Sequence, residues 1–279
     1  MGVVVQTQVD PNRHLPERAG YLPVSGAHLY TVLHEVERPK ARVLLIGPFA
    51  SERHNSYLPW VRWARYLAED RIEVLRYDYR GIGESTGAFG QMTFTDWQED
   101  VRILADWLQQ RSPSLPLILH GLGLGAVFAG RAFDQGTGDG LLLWSPPANA
   151  NQALRSALMR WVGLEQIFKF GDDRKSASDY IRELEQGSTL EVDGYSWSPA
   201  LWRSSFEFDL PASLIAEQNE KSPEARPVKT VKLTREAAPL VKGGIVGYDD
   251  LKDFGWLYAP NREWINTVVE QCDMSAAYA

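Results

Sequence analysis

The chain has 279 residues, and 29 lysines and arginines against 36 aspartates and glutamates give it a formal net charge of −7. This acidic balance excludes a nucleic-acid-binding surface of the usual basic kind. The single cysteine, Cys272, excludes an intramolecular disulfide framework and a zinc site built from cysteines. With 44% hydrophobic and 23% charged residues, the composition is that of a folded globular protein. No metal site and no cofactor are predicted.

The apolar runs of the sequence are short. None approaches the roughly 18 consecutive apolar residues that cross a bilayer. Residues 1–6 do not combine a basic segment with a long apolar core, as a signal peptide would. We therefore expect no signal peptide, no membrane span and a cytoplasmic location.

Strand and helix patterns alternate over the first 147 residues. Short apolar runs closed by glycine or proline predict buried strands, and apolar residues three or four positions apart predict helices. The predicted elements are strand 43–46, helix 57–68, strand 73–78, a helix capped by Thr95 with Gln98 as its partner, strand 116–120, helix 126–133 and strand 140–144. This alternation predicts an α/β fold, with a mostly parallel, doubly wound sheet whose strand carboxyl ends share one edge. Ligand sites of such folds lie at that edge.

The alternation ends after Pro147. Residues 150–225 have an interrupted helical pattern rich in aromatic residues, and they predict a helical cap inserted into the core. Its aromatic side chains are expected either to line an apolar lid or to pack in the core. Val228 to Leu233 predicts a strand that rejoins the sheet, and 263–271 predicts a final helix. The predicted organisation is one domain, in which 1–149 and 226–279 form the core and 150–225 the cap.

The sequence Gly121-Leu122-Gly123-Leu124-Gly125-Ala126 joins a predicted strand to a predicted helix. One interpretation is the dinucleotide-binding pattern G-x-G-x-x-G/A, but the next strand ends without the acidic residue that binds the ribose. A second is the nucleophile elbow G-x-S-x-G, with Gly123 in the position of the serine. A third is a tight turn with a packing role alone.

Two further loops resemble the α/β-hydrolases. Residues 78–85, DYRGIGES, closely resemble the D-x-R-G-x-G-x-S loop after the fourth strand of that superfamily. Residues 47–56, GPFASERHNS, follow a strand where the superfamily has its oxyanion loop, and they are similar to the P-F-A-x-E-x-N-K-S stretch of the exosortase A system-associated hydrolases. Those hydrolases are relatives of the serine aminopeptidases and lysophospholipase-like proteins. The resemblance covers about residues 20 to 150 and implies an α/β-hydrolase fold.

The resemblance also implies a Ser-Asp/Glu-His triad, in that chain order. Gly123 has no side chain to act as the nucleophile, and no histidine follows His120. The acid alone has a candidate, Glu236, which follows the last predicted strand. Because both the serine and the histidine of the triad are missing, the sequence indicates natural loss of the triad rather than one engineered inactivation. The sequence thus predicts a pseudoenzyme of serine-hydrolase ancestry that binds a ligand or a partner.

Other residues offer a substitute catalytic set. His54 lies in the oxyanion-type loop beside Ser51, and Asp78 begins the glycine-rich loop, so an active hydrolase of acyl esters, thioesters or peptides, or a lyase, is the alternative. His120 is expected to be a core histidine with its hydrogen bonds satisfied. Asp78 and Arg80 are expected to form a structural ion pair or to anchor the turn.

The loops at the sheet edge predict a ligand pocket. The helix after the glycine turn has free backbone N–H groups, and these favour a small acyl, carboxylate or phosphate-bearing ligand. Binding of a protein partner and formation of a homodimer are alternatives that the sequence leaves undecided. The predicted ligand-binding residues are Phe49, Ala50, His54, Arg80, Leu122, Gly123 and Leu124.

Overall fold

The computed structural model describes residues 3–9, 16–49, 51–168, 175–214, 225–233 and 254–278. Its strands are β1 Val3–Val9, β2 Pro16–Val24, β3 Ala27–His34, β4 Ala41–Ile46, β5 Ile72–Tyr77, β6 Leu117–Leu122, β7 Gly140–Trp144, β8 Leu190–Val192, β9 Tyr195–Trp197 and β10 Val228–Val231. Its α-helices are α1 Ser51–Ala68, α2 Phe94–Arg111, α3 Gly125–Asp134, α4 Ala150–Phe168, α5 Ala177–Glu185, α6 Pro199–Ser204 and α7 Gly255–Tyr278.

Eight of these strands form one sheet in the order β1-β2-β3-β5-β4-β6-β7-β10. The five strands from β5 to β10 are parallel to one another, whereas β1, β2 and β3 pair antiparallel. The predicted mostly parallel α/β sheet is therefore confirmed. The carboxyl ends of β4, β6 and β7 lie side by side at one edge, because neighbouring parallel strands run in the same direction.

Helices cover both faces of the sheet. In β4, Val43 and Leu45 pack with α1 and α7, while Leu44 and Ile46 pack on the opposite face with α2 and α3. All four side chains are fully buried, as successive residues of a strand between two helical layers must be. Within the described residues, no helix has both the length and the apolar character of a membrane-spanning segment.

Three antiparallel strands, β1 to β3, extend the sheet at one side and were not predicted from the sequence. Strand β2 contains Pro16, Gly20 and Pro23, residues that weaken a strand pattern. A tight turn joins β2 to β3, with Gly26 at a φ of +71°. These strands form because β3 pairs with the edge of β5, a contact between segments distant in sequence.

The start of α2 differs from the prediction. The N-cap is Thr93, whose side chain accepts a hydrogen bond from the backbone N–H of Asp96 at 3.4 Å. The Asp96 carboxylate in turn accepts the backbone N–H of Thr93 at 2.8 Å. The predicted cap at Thr95 with Gln98 is wrong, since Thr95 lies inside the first turn with its side chain exposed. A short carboxylate closes the capping box here in place of glutamine.

The segment between β7 and β10 contains helices α4, α5 and α6 and also the β8–β9 hairpin, which was not predicted. Its tryptophans Trp197 and Trp202 are fully buried in the main core together with Phe208. The side chains of these three aromatics therefore pack in the core, which is one of the two roles that the sequence predicts for them.

Replacing the N-cap tests the boundary of α2. Thr93→Ala should lower the free energy of unfolding by about 1 kcal/mol, because the N–H of Asp96 loses its acceptor. The matched variant Thr95→Ala should be within about 0.5 kcal/mol of the wild type, since an exposed position of the first turn tolerates alanine well. Urea denaturation of both variants measures the difference. Equal losses at the two positions would contradict the observed cap.

Candidate functional site

Gly123 lies in a sharp turn between β6 and α3, at the carboxyl edge of the sheet. Its φ of +56° is in the left-handed region that glycine adopts without cost. The turn is held by the Gly123 N–H, which donates to the carbonyl oxygen of Trp144 at 3.0 Å, and by the Ala126 N–H, which donates to the carbonyl oxygen of Gly123 at 3.0 Å. The turn thus projects position 123 above the sheet edge.

The three glycines of this turn have different surroundings. A Cβ atom on Gly121 would overlap the backbone of Ala126, and one on Gly125 would overlap the carbonyl oxygen of Ile46 in β4. A Cβ atom on Gly123 would instead have as its nearest neighbour the Oε2 atom of Glu52, at 2.9 Å. Packing therefore requires glycine at 121 and 125, whereas position 123 faces a flexible side chain.

A cavity of about 610 Å³ lies above Gly123. Leu122, Gly123 and Leu124, three of the predicted ligand-binding residues, line it together. Its size is within the range of pockets that hold small molecules. The other lining residues are Pro48, Glu52, Asn55, Ser56, Pro59, Trp60, Trp144, Ser145, Pro146, Pro147, Gln152, Ala153, Ser156, Arg160, Leu233, Phe254, Leu257 and Tyr258.

One wall of this cavity is aromatic. Trp60 of α1 and Trp144 of β7 meet edge to face with ring centroids 5.9 Å apart, and Tyr258 of α7 stacks on Trp144 at 6.5 Å. Burial raises the pKa of Tyr258, whose hydroxyl donates to the carbonyl oxygen of Pro59 at 2.7 Å. We call Trp60, Trp144, Phe254 and Tyr258 the aromatic wall. None of its four residues belongs to the segment in which the sequence placed the aromatic lid.

An ion pair supplies the charges of the cavity. Arg160 of α4 lies with its Nη2 atom 3.0 Å from the Oε1 atom of Glu52 on α1. Sequence reasoning missed Glu52, Arg160 and the aromatic wall. Glu52 and Trp60 are eight positions apart on α1, a spacing that places both on one face of the helix. Their partners Arg160 and Trp144 belong to elements distant in sequence, so the sequence did not indicate these contacts.

Phe49 and Arg80, both predicted to bind ligand, do not line the cavity. Phe49 is buried, with its ring centroid 5.5 Å from that of Trp97. The Nε atom of Arg80 donates to the buried Asp100 carboxylate at 2.6 Å. Burial raises the pKa of Asp100 to about 6, and the hydrogen bond and charge of Arg80 partly offset that shift. Arg80 thus links its loop to α2.

Asp78 and Arg80 do not pair with each other, which corrects that part of the sequence prediction. The Oδ1 atom of Asp78 accepts a hydrogen bond from Arg53 at 2.5 Å, and its Oδ2 atom accepts the backbone N–H of Glu84 at 3.1 Å. Asp78 therefore anchors the turn. The reason is that the Asp78 side chain points toward Arg53 on α1, whereas the Arg80 side chain points toward Asp100 on α2.

His54 and Asp78 line a second cavity, of about 580 Å³, on the other side of α1. Gly123 and its two neighbours are absent from the lining of that cavity. The structure therefore brings His54 together with Asp78 but separates both from the glycine turn. Ser51 is the first residue of α1. Ala50 and Glu236 lie outside the described residues.

His120 lies in the core below the glycine turn. Its side chain is fully buried, its Nδ1 atom is 2.9 Å from the carbonyl oxygen of Leu142, and its ring packs against Trp60 and Trp144. Burial lowers the pKa of His120 to about 3. The imidazole is therefore neutral near pH 7. In the part of the chain that the structure describes, no three histidine, cysteine, aspartate or glutamate side chains gather as metal ligands.

Residues 37–172 match the model of the family described as Serine aminopeptidase, S33. The match covers just under half of the chain and supports its similarity to the α/β-hydrolase superfamily. Its resemblance to that superfamily, inferred above from loops 47–56 and 78–85, is thereby confirmed. No curated protein matches the sequence.

Solved structures share the α/β-hydrolase fold. A putative hydrolase from Agrobacterium vitis S4 superposes with a TM-score of 0.54 at 16% identity, over 91% of this chain and 99% of that one. The α/β-hydrolase GrgF from Penicillium sp. sh18 gives a TM-score of 0.51 at 16% identity, over 78% of this chain and 90% of that one. This chain covers only 63% and 65% of the length of two further solved structures, an α/β serine hydrolase homologue from Coxiella burnetii and an α/β serine hydrolase from Xanthomonas campestris.

Alanine at the three glycines separates packing from the open site. Gly121→Ala and Gly125→Ala should each lower the free energy of unfolding by about 3 kcal/mol or more, or abolish soluble expression, because the methyl group overlaps backbone atoms. Gly123→Ala should cost only about 1–2 kcal/mol, the penalty of a left-handed alanine. Urea denaturation measures these losses. Equal stability of Gly125→Ala and Gly123→Ala would contradict the described packing.

Acid should destabilise the protein through its buried histidines. Unfolded His120 binds a proton below its ordinary pKa of 6.5, whereas the folded imidazole, with a pKa of about 3, does not. The free energy of unfolding should thus fall by about 1.4 kcal/mol per pH unit for this group as the pH drops from about 6 toward 3. His34, whose pKa burial also lowers to about 3, adds a similar slope.

Denaturation experiments between about pH 5 and pH 7, together with NMR titration of both imidazoles, check this prediction. A folded His120 that titrates near pH 6.5 would contradict it.

Proposed function

We propose that this α/β-hydrolase is non-catalytic and binds a small ligand in the cavity above Gly123. The observation that carries the proposal is that glycine, and not serine, occupies position 123 of the turn. Gly123 has the backbone conformation of a turn that presents a side chain to the cavity, but the nearest side-chain atom is a carboxylate oxygen of Glu52. A serine-hydrolase reaction needs a hydroxyl at this position and an imidazole beside it.

The histidines of the chain support the same proposal. His120 is the last of five in the sequence, and its ring is enclosed by tryptophans with its Nδ1 atom at a main-chain carbonyl. His54 lines the second cavity, on the far side of α1. Neither imidazole lines the Gly123 cavity, so neither is positioned to accept a proton from a nucleophile at the turn.

The features that binding requires are present. The cavity has an apolar lining interrupted by a few polar groups, the usual composition of a small-molecule site. We take the segment 150–225 as a cap over the core, since Gln152, Ala153, Ser156 and Arg160 of α4 form one side of the cavity. The similarity of loop 47–56 to the exosortase A system-associated hydrolases suggests a role alongside that system, in the cytoplasm.

The second candidate function is an active hydrolase or lyase that uses His54 and Asp78. Their shared cavity favours it, because a histidine near a carboxylate is a usual acid–base arrangement. Against it, the Asp78 carboxylate already binds Arg53 and the backbone N–H of Glu84.

Turnover assays test the proposal. The wild type should neither hydrolyse p-nitrophenyl acyl esters nor be labelled by a fluorophosphonate probe, because position 123 has no hydroxyl group. Gly123→Ser should fold and stay inactive, since no imidazole of the described residues lines the cavity to accept the proton of the serine. A serine hydrolase with an intact triad serves as the positive control.

Labelling of any serine in the wild type would overturn the proposal. Ester turnover that disappears on His54→Ala but persists in Gly123→Ala would instead support the second candidate function. Turnover restored by Gly123→Ser alone would show that a base is in place and would also overturn the proposal.

A further inference from the structure

We propose that the ligand of the Gly123 cavity is an organic amine, which presents a protonated nitrogen to Glu52 and packs an apolar body on the aromatic wall. This inference rests on the proposed ligand-binding function and specifies its chemistry. It departs from the acyl, carboxylate or phosphate ligand that the glycine turn predicts by itself.

Glu52 decides the charge of the bound group. Its Oε2 atom is the closest atom to the point where a side chain at position 123 would begin, at 2.9 Å. A ligand group that enters the space left open by Gly123 therefore comes within hydrogen-bonding distance of a carboxylate. A protonated amine donates to that carboxylate in a charge-assisted hydrogen bond, whereas a carboxylate or phosphate is repelled.

The ion pair with Arg160 does not prevent this contact. Arg160 approaches the Oε1 atom of Glu52, while the Oε2 atom is the one nearest Gly123. Both side chains are well exposed, at 42% for Glu52 and 46% for Arg160. An exposed pair of this kind is weak, so an amine competes with Arg160 at small cost.

The aromatic wall suits the rest of such a ligand. Trp60, Trp144 and Tyr258 line the same cavity as Glu52, and all three are more than nine-tenths buried. Their exposed edges give the body of the ligand apolar contact. The nearby proline and leucine side chains, including Pro146 and Leu257, add apolar surface and no charge.

A matched series of probes tests the inference. Octylamine, octanol and octanoate have the same apolar body and differ in charge at the head. Calorimetric titration of the purified full chain at neutral pH should show octylamine binding at least about tenfold more tightly than octanoate, with octanol between them.

Two variants should change this preference in opposite directions. Glu52→Gln should remove the advantage of the amine, because the carboxylate is gone, and it should improve octanoate binding, because Arg160 loses its partner. Arg160→Gln should strengthen amine binding by about twofold to fivefold. Glu185→Gln, at an exposed position on α5, makes the same charge change away from the cavity and should leave all three affinities unchanged.

The outcomes separate the two proposals. Equal affinities of the three probes, or tighter binding of octanoate, would overturn the amine inference and leave the ligand-binding function standing. Binding of none of the probes would overturn the ligand-binding function itself. A preference for octylamine that persists in Glu52→Gln would show that the cation binds elsewhere and would overturn the inference.

Discussion

The crowding between β6, α3 and β4 is the constraint on which the centre of this protein depends. The chain leaves a buried strand and enters a helix within two residues, and the helix starts so close to β4 that Gly125 lies against the carbonyl oxygen of Ile46. Only glycine fits at 121 and 125. These two glycines therefore fix the path of the turn, whereas position 123 has a left-handed φ and faces the Glu52 side chain. The packing of these two glycines is independent of the residue at position 123, which has no side chain.

Helix α1 divides the space at the sheet edge. Glu52, Ser56 and Trp60 face the Gly123 cavity, whereas Arg53, His54 and Tyr57 face the second cavity. The side of α1 on which a residue lies thus decides which site it serves. Neighbours in sequence, such as Glu52 and Arg53, contribute opposite charges to different cavities. We propose that ligand binding belongs to the first, whose lining is mostly apolar.

The fold was largely predictable because its signals are local. Buried runs such as 43–46 and 140–144 are bounded by glycine and proline, and the alternation of strand and helix then requires a parallel sheet. The signals failed where tertiary contacts override them. Strands β1 to β3 depend on pairing with β5. The cap of α2 was placed wrongly for a local reason, because Asp96, three residues after Thr93, closes the capping box there. Trp197, Trp202 and Phe208, in the segment between β7 and β10, pack into the core.

By itself the sequence determined which residue stands at the centre of the glycine turn and where the histidines lie along the chain. A glycine at position 123 and the absence of any histidine after His120 are facts of composition and order, and no packing can change them. Only the tertiary structure decided which side chains surround Gly123. Glu52, Trp144, Arg160 and Tyr258 come from four separate elements, and their common cavity results from the way α1, α4 and α7 pack around the end of β7. Chain order specifies a residue's own element, whereas the partners of that residue follow from the packing of elements distant in sequence.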